Sequence, residues 1–295
     1  MLLGILGAVA VGLIWGTIAV IQSRVARSGR SISSFYAAGF SLAALIAWVL
    51  FPEWSGGAAQ TTPLLAAVVL WVGLSGVGNG AGKALVIGAM RHGHKAVTLA
   101  LSQATMIVPF LAGVVLWREQ PSGEAWLGVI LAGTGAAVLA LHRRPSDPDE
   151  ECDRLWLPLA LLSIVIIGAG RTLFISSSHW PAGPALSLRT PVALTAAAGI
   201  HLLLMLARRE RYDTALLKLS ATFAVLAVLG YEVMFATTDR LEIHGRSGLA
   251  FPVGVAVSIA AFSLYSRFVL GEPYNRRSLL GLALTVAGLV LMVLA

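Results

Sequence analysis

A handful of polar side chains sit inside long apolar stretches, and these are where chemistry could occur. Glu232 and Tyr231 interrupt VLGYEVMFATT, Arg171 lies in IGAGRTLF, Asn79 and Lys83 lie in SGVGNGAGK, Ser102, Gln103 and Thr105 share LSQATM, and Trp15 and Thr17 share IWGT. A carboxylate within a membrane span is costly and faces a cavity or a partner. Glu232 therefore reads either as an ion-pair strut to Arg171 or as a substrate or proton site. Arg171 and Arg189 against this one acid leave a positive balance, and a guanidinium suits bidentate recognition of carboxylate or phosphate. That balance points to an anionic group on a bound solute. Arg189 and Lys83 also have the alternative of snorkelling to the span ends. Trp15 and Tyr231 are each either packing or a wall against which a ring or sugar face stacks. The expected substrate-binding set is Trp15, Asn79, Ser102, Gln103, Arg171, Tyr231 and Glu232.

Other chemistries find little support. His92, His94, His142, His179 and His244 fall in loops or at interfaces and His201 is alone in its span, so no spacing suggests a metal site. No serine, histidine and acid converge within the spans as a hydrolase would require. The alternating glycines from Gly76 to Gly82 do not form a phosphate loop, because Val77 stands where its first glycine belongs and no Ser or Thr follows Lys83. Glycines four apart let membrane helices pack closely, and glycine-interrupted helices also mark transporter midplanes. The chain is expected to be no enzyme and to need no cofactor.

The elements that position these residues follow from composition. The 295 residues are 57% hydrophobic and 12% charged, with a mean hydropathy of +0.83. Soluble domains carry about 25% charged residues, so the sequence predicts an all-α polytopic membrane protein. A span takes about 20 residues of helix, and ten fit: roughly 2–22, 34–51, 63–90, 96–117, 125–141, 155–175, 185–207, 219–238, 248–270 and 278–295. The first lacks a basic flank and a small-residue cleavage site, so it reads as a retained span rather than a signal peptide. The lone Cys152 forms no intrachain disulfide and leaves the redox compartment open.

A pattern in the chain returns at an offset of 153 residues: Glu119 falls on Glu272, Leu127 on Leu280, Gly128 on Gly281, Leu131 on Leu284 and Gly135 on Gly288. That is about half the chain, which points to a duplicated half rather than a solenoid. The expected organisation is a five-helix repeat over residues 1–141, a charged linker over 142–154 (HRRPSDPDEECDR) and a second five-helix repeat over 155–295. An odd number of spans starts the second half from the opposite side, so the repeats are inverted. Such repeats place a substrate between the halves near the midplane and permit alternating access. Glu119 and Glu272, at the ends of the fourth and ninth spans, read as turn-fixing or capping residues.

Of the 21 Lys and Arg, fifteen lie in loops after odd-numbered spans and three (Arg118, Arg240, Arg246) on the opposite side, while Lys83, Arg171 and Arg189 lie within spans. Basic loops stay cytoplasmic, which puts both termini outside. The net charge of +7 is accordingly a topology signal and not a nucleic-acid footprint.

IWGT in the first span, the two-half construction and the hairpins from Glu119 to Gly135 and Glu272 to Gly288 resemble the drug/metabolite transporter superfamily, in its ten-helix EamA-like branch. The resemblance spans almost the whole chain. GNGAGKALVIGAM and LSQATMIVPFLAGVVLWRE are also similar to the glucose/ribose and rhamnose porter branch, as is the charge-poor C-terminus. The resemblance implies a secondary transporter of a small polar or amphipathic metabolite, such as a sugar, amino acid or organic acid. The alternatives from other classes are a lipid-linked substrate flippase and a membrane-embedded enzyme. The expected partners are the substrate, the lipid bilayer and, if Glu232 titrates, a coupling proton, with no nucleic acid. A monomer suffices, and a bacterial inner membrane is the expected location.

Overall fold

The computed structural model describes residues 1–51, 62–92, 102, 104–141, 155–180, 184–269 and 276–294. The 142–154 linker, Gln103, Glu272 and the start of the fourth expected span lie outside them. Every regular element among the described residues is helical. In chain order these are α1 (Leu2–Arg27), α2 (Ile32–Leu50), α3 (Pro63–His92), α4 (Ala104–Leu116), α5 (Gly123–Leu141), α6 (Trp156–Ser176), α7 (Arg189–Ala207), α8 (Leu217–Glu242), α9 (Ala250–Phe268) and α10 (Arg276–Leu294).

Among the described residues, seven apolar stretches, those of α1, α2, α3, α6, α7, α8 and α9, are long enough to cross a bilayer, and α4, α5 and α10 hold shorter ones. Large apolar side chains also face outward, including Val49 at 80% exposure, Val115 at 73% and Leu206 at 69%. Helices apolar on their outer faces belong in lipid. The protein is an integral, polytopic membrane protein.

Local sequence sets the helix ends. Ser31 caps α2 by accepting from the Ser34 amide at 3.0 Å. Gly245 ends α8 with φ +64, and the Gly245 and Arg246 amides return to the Glu242 and Leu241 carbonyls. This left-handed closure admits glycine without the strain a Cβ would bring. It carries α8 four residues beyond the expected stop at Thr238, which brings Asp239 into the helix.

The helices pack in a regular pattern. α5 lies along α10 and α2 along α7, while α3 touches both α6 and α7, and α1 and α2 both touch α8; α1 also packs on α9, and α4 on α6. The glycines of α3 explain how it fits between two neighbours. Gly76 and Gly80 face α7, where a Cβ would meet the Ala193 carbonyl at 2.1 Å and Ala197 at 3.3 Å. Gly78 and Gly82 face α6, against Gly170 at 3.2 Å and Ile167 at 2.2 Å. Alternate positions thus form two separate four-residue stripes, each a close-packing seam. Asn79, Lys83 and Val86, spaced four and three apart, occupy a third face. A cluster of Phe35, Tyr36, Phe40 and Phe223 joins α2 to α8, and Phe174, Phe235 and Phe251 join α6, α8 and α9.

Candidate functional site

The third face of α3 opens on a cavity of about 120 Å³. α1 contributes Trp15, Ile18, Ala19 and Gln22, α3 contributes Asn79, Lys83 and Val86, and Ser102 lies just before α4. From the second half, α6 adds Ile167, Arg171 and Phe174, α8 adds Gly230, Tyr231 and Met234, and α9 adds Phe251 and Ser258. Each run follows helical spacing, so each helix presents one stripe to a common space. At roughly 10–15 Å³ per water on this measure, the cavity suits a small solute.

Five of the residues expected from sequence line this space: Trp15, Asn79, Ser102, Arg171 and Tyr231. Gln103 lies outside the described residues. Glu232 does not line the cavity; its carboxylate accepts from Thr190 Oγ1 at 2.7 Å, and no ion pair joins it to Arg171 among the described residues. One residue step of α8, about 100° around the helix, separates the faces: Tyr231 turns inward and Glu232 turns toward α7.

Arg171 crosses the space to Thr105, donating from Nη1 to Oγ1 at 2.6 Å. Its guanidinium lies 5.3 Å from the Trp15 ring and 5.1 Å from Phe251, and these two rings stack at 5.8 Å. Aromatic faces stabilise a cation but do not neutralise it. Lys83, which sequence position reads as snorkelling, points instead into the cavity, its Nζ 5.7 Å from the Phe40 ring and 5.6 Å from Phe223. The Tyr231 hydroxyl is buried without a hydrogen-bond partner among the described residues. Asn79 donates back to the Ser75 carbonyl at 3.0 Å, and Gln22 donates to Tyr36 Oη at 2.8 Å. No Asp or Glu is among the described residues lining the cavity.

Arg189 does not join this group. It makes a two-pronged bond to Asp239, at 2.8 and 2.5 Å, over the Phe235 ring. Sequence reasoning ended α8 at Thr238 and so lacked this acid.

Polar ties close the molecule on both sides of the cavity. Toward the start of α1, Glu119 is buried and accepts from Ser247 Oγ at 2.5 Å and the Gly248 amide at 3.0 Å. It thereby caps the N-terminal end of α9, where a carboxylate is favoured, rather than the helix that follows it. Arg118, with φ +54, turns the chain that brings Glu119 there. His179 stacks on Trp117 at 4.5 Å, meets Ser247 Oγ at 3.2 Å and stands 3.6 Å from Glu242. This serine, histidine and acid grouping was invisible in sequence because its members come from α8 and from the turns after α6 and before α9. Ser247 directs its hydroxyl to Glu119, so it acts as a tie and not as a nucleophile primed by His179. Toward the end of α1, Arg24 donates to Tyr265 Oη at 3.3 Å, Arg30 pairs with Asp213 at 2.8 Å and Ser31 donates to Glu210.

No family model and no curated protein matches the chain. A solved crystal structure of a protein is similar to it at 16% identity, with a TM-score of 0.69 and coverage of 98% of this chain and 97% of that one. At that identity the likeness shows a shared fold along nearly the full length of both chains, and nothing about activity.

Proposed function

We propose that the protein is a secondary transporter of a small polar or amphipathic metabolite, working by alternating access between two inverted five-helix repeats. The observation that carries this reading is the cavity at the middle of the helices, lined from both halves by Trp15, Asn79, Lys83, Arg171 and Tyr231. Sites of this kind, deep in the bilayer at a repeat interface, are where alternating-access carriers hold their substrates.

Two further observations support the repeat. Between α5 and α10, Gly128 packs on Gly288 and Gly135 on Gly281, the four glycines that the 153-residue offset relates. The packing pattern also maps onto itself when each helix is exchanged with the one five places away: α1 on α8 mirrors α6 on α3, and α2 on α8 mirrors α7 on α3. The polar ties at the two ends of the cavity are the contacts that such a cycle would break in turn. The resemblance to the EamA-like drug/metabolite transporters agrees with this reading, and the distribution of Lys and Arg favours termini on the outer side.

Reconstitution tests it. Purified protein in liposomes should accelerate saturable entry of at least one class among labelled sugars, amino acids and organic anions, and Trp15→Ala should reduce that entry. Rates equal to those of protein-free liposomes across all three classes would count against transport.

A further inference from the structure

Resting on that reading, we infer that the substrate is a small organic anion, its carboxylate or phosphate held by Lys83 and Arg171, with the Tyr231 hydroxyl as a further donor. The charge distribution carries this. Two cations enter a mid-membrane cavity to which the described residues contribute no acid. Lys83 makes no hydrogen bond or ion pair among the described residues; rings surround it. Of the five guanidinium donors of Arg171, one is met among the described residues, by Thr105. A cation kept from water without a counter-charge is unfavourable.

The chain provides that counter-charge where a buried cation has a structural role. Arg189 has Asp239 on two of its nitrogens, whereas Glu232, one residue along the chain from a cavity-lining tyrosine, is turned away to Thr190. Arg171 and Lys83 are thus left facing the space a solute would occupy. Tyr231 adds a buried hydroxyl with no partner among the described residues, the expected condition of a donor that a bound ligand completes. Trp15 and Phe251, stacked under the Arg171 guanidinium, fix the plane of its fork and leave its free edge for an oxyanion.

The test uses matched pairs that differ in charge: succinate with succinamide, benzoate with benzamide, and glycerol 3-phosphate with glycerol. Full-length protein in detergent is titrated with each at millimolar concentration, following tryptophan fluorescence and the melting temperature. The expected result is a saturable response to succinate and benzoate or to glycerol 3-phosphate, at least about tenfold weaker for the neutral partner. Lys83→Gln and Arg171→Gln should each weaken it by a similar factor, and Arg171→Lys should weaken it less. Whichever acid responds identifies carboxylate or phosphate as the recognised group. Equal responses within every pair, no response to any anion, or undiminished anion binding in the glutamine variants would overturn the inference. If Arg171→Gln does not fold, Lys83→Gln decides alone. Flux of labelled succinate and glycerol 3-phosphate into liposomes separates the two readings. Anion binding without flux removes transport and keeps the anion site; equal flux of glycerol and its phosphate keeps transport and removes the anion site.

Discussion

Gly128 of α5 and Gly288 of α10 touch reciprocally: a Cβ on Gly128 would stand 2.7 Å from the Gly288 carbonyl, and one on Gly288 2.5 Å from the Gly128 carbonyl. Seven residues along, Gly135 meets the Gly281 carbonyl at 2.6 Å. Since Gly128 aligns with Gly281 and Gly135 with Gly288 in the repeated pattern, each glycine packs near the counterpart of the other. This is the contact rule of a twofold axis, where i touches j and the equivalent of j touches the equivalent of i. The two helices run antiparallel across this seam.

The same geometry makes a first prediction. Leucine at 128 or 288 has no room unless α5 and α10 separate, and overpacking of this kind costs about 1–3 kcal/mol. Each variant should melt below the parent in detergent, followed by tryptophan fluorescence. Gly199→Ala is the control: nothing lies within 4 Å of the added methyl and alanine is the better helix former, so its melting temperature should equal or exceed the parent's.

Arg189 and Asp239 should behave as a coupled pair. Arg189→Met strands Asp239 against the Phe235 ring, and Asp239→Asn strands a cation buried to 7% exposure. Each single change is expected to cost about 2 kcal/mol, below the roughly 3–5 of a fully buried pair, because 37% of the Asp239 side chain is exposed. The double variant should recover much of the loss. Additive losses in a double-mutant cycle would show that the bond contributes nothing beyond its two separate sites.

Much of the fold is legible in the sequence because membrane helices announce themselves by length and apolarity. The bounds of α2 and α6 lie within two residues of expectation for that reason. Cavity residues were legible where a polar group interrupts such a helix, as Arg171, Tyr231 and Asn79 do. What escaped depends on helix ends and faces. Asp239 escaped because the stop at Gly245, and not the last apolar residue, ends α8. Lys83 was open to reading as a snorkelling residue because distance along the chain says nothing of which face a side chain takes. Adjacency misled at Glu232, since neighbours on a helix point about 100° apart.

Topology offers a further prediction. Cys152 is the chain's one cysteine and belongs to a linker on the side rich in Lys and Arg, which is expected to be cytoplasmic. In intact cells it should resist a membrane-impermeant maleimide and react after permeabilisation. Gly123 is exposed at the first residue of α5, with nothing within 4 Å. Gly123→Cys, made with Cys152→Ser, should label from outside without permeabilisation. The reverse pattern would invert the orientation and place both termini in the cytoplasm.

The Arg30–Asp213 tie predicts how the protein responds to acid. Arg30 Nη1 lies 2.8 and 2.9 Å from the two Asp213 oxygens, and this hydrogen bonding holds the carboxyl below the usual carboxylate range; a bond from the Ala215 amide acts in the same sense. A carboxyl whose pKa is lower folded than unfolded stabilises the folded state above the unfolded value. The contribution disappears as pH falls through the folded one. Asp213→Asn should therefore lower the melting temperature slightly at pH 7, a small effect because Arg30 is half exposed. The two curves should converge as the pH is taken from about 5 toward 3, across the ordinary Asp range. A difference that stays constant over that window would mean that Asp213 acts by capping the Thr214–Leu216 turn through Ala215, and that its charge bond to Arg30 adds nothing.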